Sequence, residues 1–160
     1  MIQTTVVAML KRKVKNYDWH YIYVVREDDL VFYVGLSLSP IERMIQHVYG
    51  GRNGIISHLG HFIRDNIKYA DNWQVDLLTL EECKLYIDQY GTFTDEDKYW
   101  NEALSRSGIR DQYWLSEAMR AAEGALIQHY CPCLNVAGNP NPNPLPSRYI
   151  TLQKAFKDDL

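Results

Sequence analysis

Five side chains of this sequence have the types needed for one piece of chemistry: Tyr23, Tyr33, Arg43, His47 and Glu123. Hydrolysis of a phosphodiester makes three demands. A water must lose a proton, the anionic transition state must be neutralised, and the leaving 3′ oxygen must be stabilised. Arg43 suits the second, because a guanidinium stays charged and its planar fork matches phosphate oxygens. Glu123 suits the third, by holding a divalent cation that acts as a Lewis acid, with Mg2+ as the natural choice and Mn2+ as a substitute. His47 can take or relay a proton, since a histidine ordinarily titrates near ~6.5. Each residue alone has an ordinary reading: core aromatics for the tyrosines, surface groups for Arg43, His47 and Glu123.

The elements that must position them are legible nearby. Tyr21-Ile22-Tyr23-Val24-Val25 and Leu30 to Leu36 are rich in β-branched and aromatic residues, with the polar turn Glu27-Asp28-Asp29 between them. They predict a hairpin of two buried strands. Side chains alternate along a strand, so Tyr21 and Tyr23 should share a face, with Tyr33 opposite them across the hairpin. Ser39-Pro40-Ile41-Glu42 predicts a capped helix from Pro40 to about Tyr49. Arg43 and His47, four residues apart, then lie on one side of it. Gly50 to Gly54 breaks that helix, and another should run from Ser57 to Asn66. Gln74 to Leu78 reads as a third strand. Thr79-Leu80-Glu81-Glu82 is a second capping box, opening a helix that ends near Gly91, and a further helix should start at Thr94 and end near Gly108. Ser116 is placed to cap a last long helix through Tyr130, which carries Glu123 among alanines and a glycine. Small neighbours there leave room for a ligand or for close helix packing. The run Gly138-Asn139-Pro140-Asn141-Pro142-Asn143-Pro144 excludes regular structure, because each proline lacks a donor and restrains its predecessor.

These pieces together resemble the GIY-YIG nucleases. Tyr21-Ile22-Tyr23 stands where that family has its first signature, and Tyr33-Val34-Gly35 where it has the second. Arg43 lies eight residues after Gly35, at the place of the family's arginine, and His47 matches a histidine carried by several members. Glu123-Gly124-Ala125-Leu126-Ile127 followed by Pro132-Cys133-Leu134-Asn135 is similar to its glutamate helix and terminal asparagine. The resemblance spans about residues 20 to 136. It departs at Tyr21, which replaces the first glycine, and in about thirty extra residues before the glutamate helix. It implies an α/β fold: a small three-stranded antiparallel sheet flanked by helices, with a helical insertion before the glutamate helix. The whole of 1–160 then forms one nuclease domain, with the insertion at about 81–113 and an extended C-terminal arm at about 137–160. It implies a Mg2+-dependent DNA endonuclease in which Glu123 holds the metal and a tyrosine assists the water. Free tyrosine titrates near ~10, so Tyr23, with Tyr33 as partner, would need positive charge from Arg43 or from metal-bound water. Gly35 and Asn135 read as structural residues near the site. The lack of an appended zinc finger or helix-turn-helix resembles the free-standing restriction enzymes. Double-strand cleavage would then need a homodimer or a higher homo-oligomer. The alternatives are a structure-specific or nicking nuclease of repair or recombination, and a non-catalytic nucleic-acid-binding module of the same fold.

The composition is that of a globular domain, 46% hydrophobic and 23% charged, and no apolar run approaches the roughly 18 residues of a membrane span. Basic residues follow the first apolar stretch, the reverse of a secretory signal, and the sequence therefore reads as cytoplasmic. Three cysteines, with Cys131 and Cys133 too close for an easy disulfide, fit a reducing compartment and a packing role. Net charge is −3, but Glu81 to Glu102 holds seven acids and two bases, leaving 15 bases and 13 acids elsewhere. A locally acidic insertion is thus compatible with a mildly basic DNA-binding face. Lys11, Arg12 and Lys13 are candidate phosphate contacts, as is Arg52 in the glycine-rich segment. His58 and His61 have metal-ligand spacing but no partner ligand.

Overall fold

The computed structural model describes residues 1–91 and 112–149. The helix expected from Thr94 lies outside them, as do most of the acidic insertion and the last residues of the arm. The described residues form an α/β fold around a four-stranded antiparallel sheet. In chain order they are β1 (Ile2–Thr5), α1 (Val6–Leu10), β2 (His20–Glu27), β3 (Leu30–Leu36), α2 (Pro40–Tyr49), α3 (His58–Asp65), the single turn α4 (Ile67–Ala70), β4 (Gln74–Thr79), α5 (Leu80–Tyr90) and α6 (Gln112–Tyr130). The strand order is β1-β4-β2-β3. The expected three strands are present, and β1 adds a fourth at the edge beside β4. Four residues, only partly buried, give too short an alternation to announce a strand.

β2 is a continuous buried run from Tyr21 to Val25 because helices cover both faces of the sheet. Ile22, Val24, Val34 and Leu78 pack under α5 and α6. Tyr23, Val25, Phe32 and Leu77 pack under α1, α2 and α3. The expected pairing of Tyr21 and Tyr23 on one face fails. Between His20 and Ile22 the register against β4 slips by one residue, a bulge that turns Tyr21 into the α5–α6 core. Tyr33 does face Tyr23, their ring centroids lying 6.1 Å apart.

Helix ends follow the local chemistry in part. Thr79 and Glu82 form the expected capping box, and Ser57 caps α3 by accepting from the Gly60 amide at 3.0 Å. Ser39 makes no side-chain cap, and Glu42 pairs instead with Arg12. α6 is already helical at Gln112, so Ser116 lies inside it and not at its start.

After α6 the chain runs along the open edge of β3. Cys133 and Leu134 donate backbone bonds to Val31 and Phe32, and the Asn135 amide both donates to and accepts from Val34, each at 2.9 Å. Asn135 therefore acts as a one-residue strand partner that closes the edge. The expected extended arm folds back as far as it is described. Asn139 is buried and donates to Pro132 and Asn135. Tyr149 completes an aromatic cluster with Phe32, Phe62 and Trp73, centroids 4.9–5.6 Å apart. The prolines exclude regular structure, and the segment is docked instead by the bonds of Asn139 and Asn143 and by the Tyr149 ring. No helix among the described residues is long and apolar enough to cross a membrane.

Candidate active site

The residues singled out by chemistry converge from β2, β3, α2 and α6. Tyr23 is 1% exposed, and its hydroxyl lies 2.8 Å from Nε2 of the buried His47. Tyr33 stands against both, its ring centroid 5.9 Å from that of His47. Arg43, one turn before His47 on α2, is an exposed residue whose guanidinium reaches the Tyr23 hydroxyl, and its charge acts on Tyr23, Tyr33 and His47. Glu123 comes from the opposite helical layer, and its charge reaches both phenols. The alanines around it, Ala118, Ala121, Ala122 and Ala125, serve close helix packing, whereas the space beside Gly124 is open.

Two glycines set this geometry. Gly35 is the cross-strand partner of Tyr23, and the phenol ring lies flat over it. A β-carbon at position 35 would overlap the ring. Gly35→Ala is expected to lose roughly 1–3 kcal/mol of stability through overpacking. In a Tyr23→Ala background the same substitution should cost far less. Paired thermal melts test this, and equal losses in both backgrounds would refute the contact as the cause. Gly60, on α3, meets the His47 carbonyl so closely that any side chain would drive α2 and α3 apart.

The hydrogen-bond chain continues beyond His47. Its Nδ1 lies 2.5 Å from the Ser57 hydroxyl, which also caps α3. A neutral imidazole has one N–H and one lone pair, so the chain has two senses. In one, Tyr23 donates to Nε2 and Nδ1–H donates to Ser57. In the other, Ser57 donates to Nδ1 and Nε2–H donates to Tyr23. Passage of a proton converts the first into the second. Ser57 was legible in the sequence only as the start of a helix; its second bond, across to α2, depends on how the helices pack.

Tyr23 needs positive charge to act as a base, and Arg43 alone does not supply enough: burial, reinforced by Tyr33, pushes its pKa up and outweighs the lowering by Arg43. Tyr23 is a neutral phenol at physiological pH. Tyr33 moves in the same direction, chiefly through burial. Burial, and then Arg43, hold His47 down to about 4, so it is neutral and able to accept a proton. Burial raises Glu123 above the usual carboxylate range.

Glu123 is half-buried, and no cation pairs with it among the described residues. No group of three or more His, Cys, Asp or Glu is poised around a metal there. A single inward carboxylate does not fit an all-protein metal cage. It fits Mg2+, which keeps several waters and binds through one or two carboxylates together with substrate phosphates. Burial pushes Cys83 up to about 12 and Cys133 to about 11, so both stay protonated thiols, in keeping with packing.

The candidate phosphate contacts divide. Lys11, Lys13 and Arg52 are exposed, while Arg12 is held by Glu42. A cleft of about 330 Å³ opens beside the cluster, lined by Arg43, Gln46, His47, Asn53, Ile55 and Ser57. No family model matches the chain, and no curated protein or solved structure matches it either.

Proposed function

We propose that this chain is a metal-dependent endonuclease of the GIY-YIG kind that hydrolyses DNA phosphodiester bonds. The observation that carries the reading is the convergence on one place, from four elements, of two tyrosines, an arginine, a histidine and a glutamate that no cation pairs with among the described residues. Arg43 offers its fork to the phosphate and neutralises the transition state. Tyr23 accepts a proton from the attacking water as its own passes to His47 Nε2; the proton on Nδ1 moves to Ser57, and the hydroxyl proton that Ser57 gives up leaves through the cleft it lines. A neutral phenol does this without becoming a phenolate, which explains how a tyrosine with a raised pKa can take part. A low pKa suits His47 to carry the proton onward and not to store it. Tyr33 packs against Tyr23 and His47 and fixes their rings. Glu123 would hold Mg2+, which when bound supplies charge to stabilise the leaving oxygen. One site per chain cuts one strand, so restriction-like double-strand cleavage would require a homo-oligomer.

The test is cleavage of supercoiled plasmid as a function of Mg2+ and pH. Nicked or linear product should form with Mg2+ and disappear with chelator. As pH falls, Glu123 protonates first and His47, near 4, afterwards. A metal competes with the proton on Glu123, so raising Mg2+ should move the acid limb to lower pH. No cleavage of plasmid at any pH, or an acid limb indifferent to Mg2+, would sink the reading.

A further inference from the structure

The cleft beside the reactive cluster has features that hydrolysis alone does not use. It shares Arg43 and His47 with the cluster, so whatever fills it lies next to the scissile bond. Its volume of about 330 Å³ is at the low end of ligand sites, the scale of one nucleotide unit and not of a duplex groove. Gln46, Asn53 and Ser57 offer amide and hydroxyl groups within it. Its outer wall is the turn Gly50–Gly54, closed on itself by a bond from the Gly54 amide to the Gly51 carbonyl at 2.9 Å. Gly50 and Gly54 both have positive φ and lie so close that a β-carbon at position 50 would meet the Gly54 backbone, and Arg52 and Asn53, between them, are exposed. Two large apolar side chains flank that turn unburied: Tyr49 is 66% exposed and Ile55 is 69% exposed. The surrounding sequence, Arg43 to Arg64, contains three arginines, three histidines and no carboxylate in a chain of net charge −3.

Resting on the nuclease reading, we infer that this cleft and its rim form a nucleotide subsite that holds the unit of the DNA strand flanking the scissile phosphate. Arg52 meets the adjoining phosphate. Tyr49 and Ile55 offer an aromatic and an aliphatic face to an unstacked base or sugar, a contact every base can make. Asn53 and Gln46 supply groups for its polar edge. The absence of carboxylates along Arg43–Arg64 suits a polyanion and disfavours an acidic or neutral protein partner. The subsite lets the enzyme bend or unstack its substrate at the cut and fixes which phosphodiester meets Arg43.

The experiment uses the full chain and a fluorescein-labelled DNA duplex. Binding is read by anisotropy in the Glu123→Gln background, which leaves the strand uncut, and cleavage is read in the parent background. Tyr49→Ala, Ile55→Ala and Arg52→Ala are surface changes that should leave the fold intact. Each is expected to weaken binding and raise KM by roughly 10- to 100-fold with kcat largely kept. Arg52→Ala should also flatten the dependence of log affinity on log salt by nearly one, because one fewer counterion is released. A merely structural loop would not change that slope. If the parent cuts DNA and all three variants match it in KM, affinity and salt slope, the subsite is overturned and the nuclease reading stands. If the variants instead dissociate an oligomer in sedimentation while binding stays the same, the surface is an interface between copies and the subsite is again overturned. If the parent neither binds nor cuts polynucleotide, the nuclease reading falls and the subsite falls with it.

Discussion

Glu123→Gln is expected to abolish cleavage almost completely while leaving the protein as stable as the parent or more so. The carboxylate is the metal-holding group of the proposed site, and a bound ion contributes several kcal/mol to charge stabilisation in the transition state. Its loss should lower the rate by roughly 10³-fold or more. Stability should move the other way for a reason visible in the fold. Burial raises the Glu123 pKa, so the folded state binds its proton more tightly than the unfolded chain does. That contribution is fully present below the unfolded pKa and is lost as pH rises through the folded one. At neutral pH the parent therefore bears the cost of a half-buried charge, which a neutral amide of the same shape avoids. The parent's melting temperature should rise as pH is lowered toward the Glu123 pKa, and the variant should lack that component. Plasmid cleavage and thermal melts between pH 4 and 8 provide both readouts. Full activity in the variant would remove Glu123 from the site, and a large loss of stability at neutral pH would contradict its unpaired burial.

Tyr23→Phe should lower cleavage by roughly 10²–10⁴-fold, the usual worth of a positioned proton-transfer group. The ring remains over Gly35, so the packing is kept. What is lost is the hydroxyl that meets His47 Nε2, leaving a buried nitrogen without its partner. Such an orphan costs on the order of 1–3 kcal/mol, a drop of a few degrees in melting temperature. Tyr33→Phe leaves the Tyr23–His47 bond in place and should cost less activity. If Tyr23 and His47 act as one relay, the double variant Tyr23→Phe/His47→Ala should be little worse than either single change. Additive losses would show two independent roles, and a larger loss in Tyr33→Phe would exchange the parts of the two tyrosines.

The two predictions rest on different kinds of legibility. That Tyr23 and Tyr33 lie on paired strands, and that Arg43 and His47 share a side of α2, follows from periods of two and 3.6 residues. These need only a few neighbours, and the hairpin, α2, α3 and the Thr79 box appear where the pattern places them. Other local signals were not realised. Ser39 makes no side-chain cap, its amide donating to Ser37 while Glu42 pairs with Arg12, and α6 is already helical before Ser116. Tyr21 obeyed the alternation only up to a bulge, which depends on the register of β2 against a strand fifty residues away.

Which side chains could act, and on which elements they stand, follows from short stretches of sequence, because propensity, periodicity and capping are local properties. What those side chains can do depends on how distant segments pack together. The charge of Glu123 reaches Tyr23 and Tyr33 only because α6 packs against the sheet, and the chain after α6 is pinned to β3 through Asn135 and Val34, 101 positions apart. Ser57 joins the hydrogen-bond chain of Tyr23 and His47 because Gly60 lets α3 close on α2. The arm became part of the core because Tyr149 found Trp73 and Phe62. Tyr23, which needs positive charge to act as a base, is held neutral because burial removes it from water more thoroughly than Arg43 can offset. Burial is the sum of every segment that covers a group, and segments distant in sequence supply most of it here.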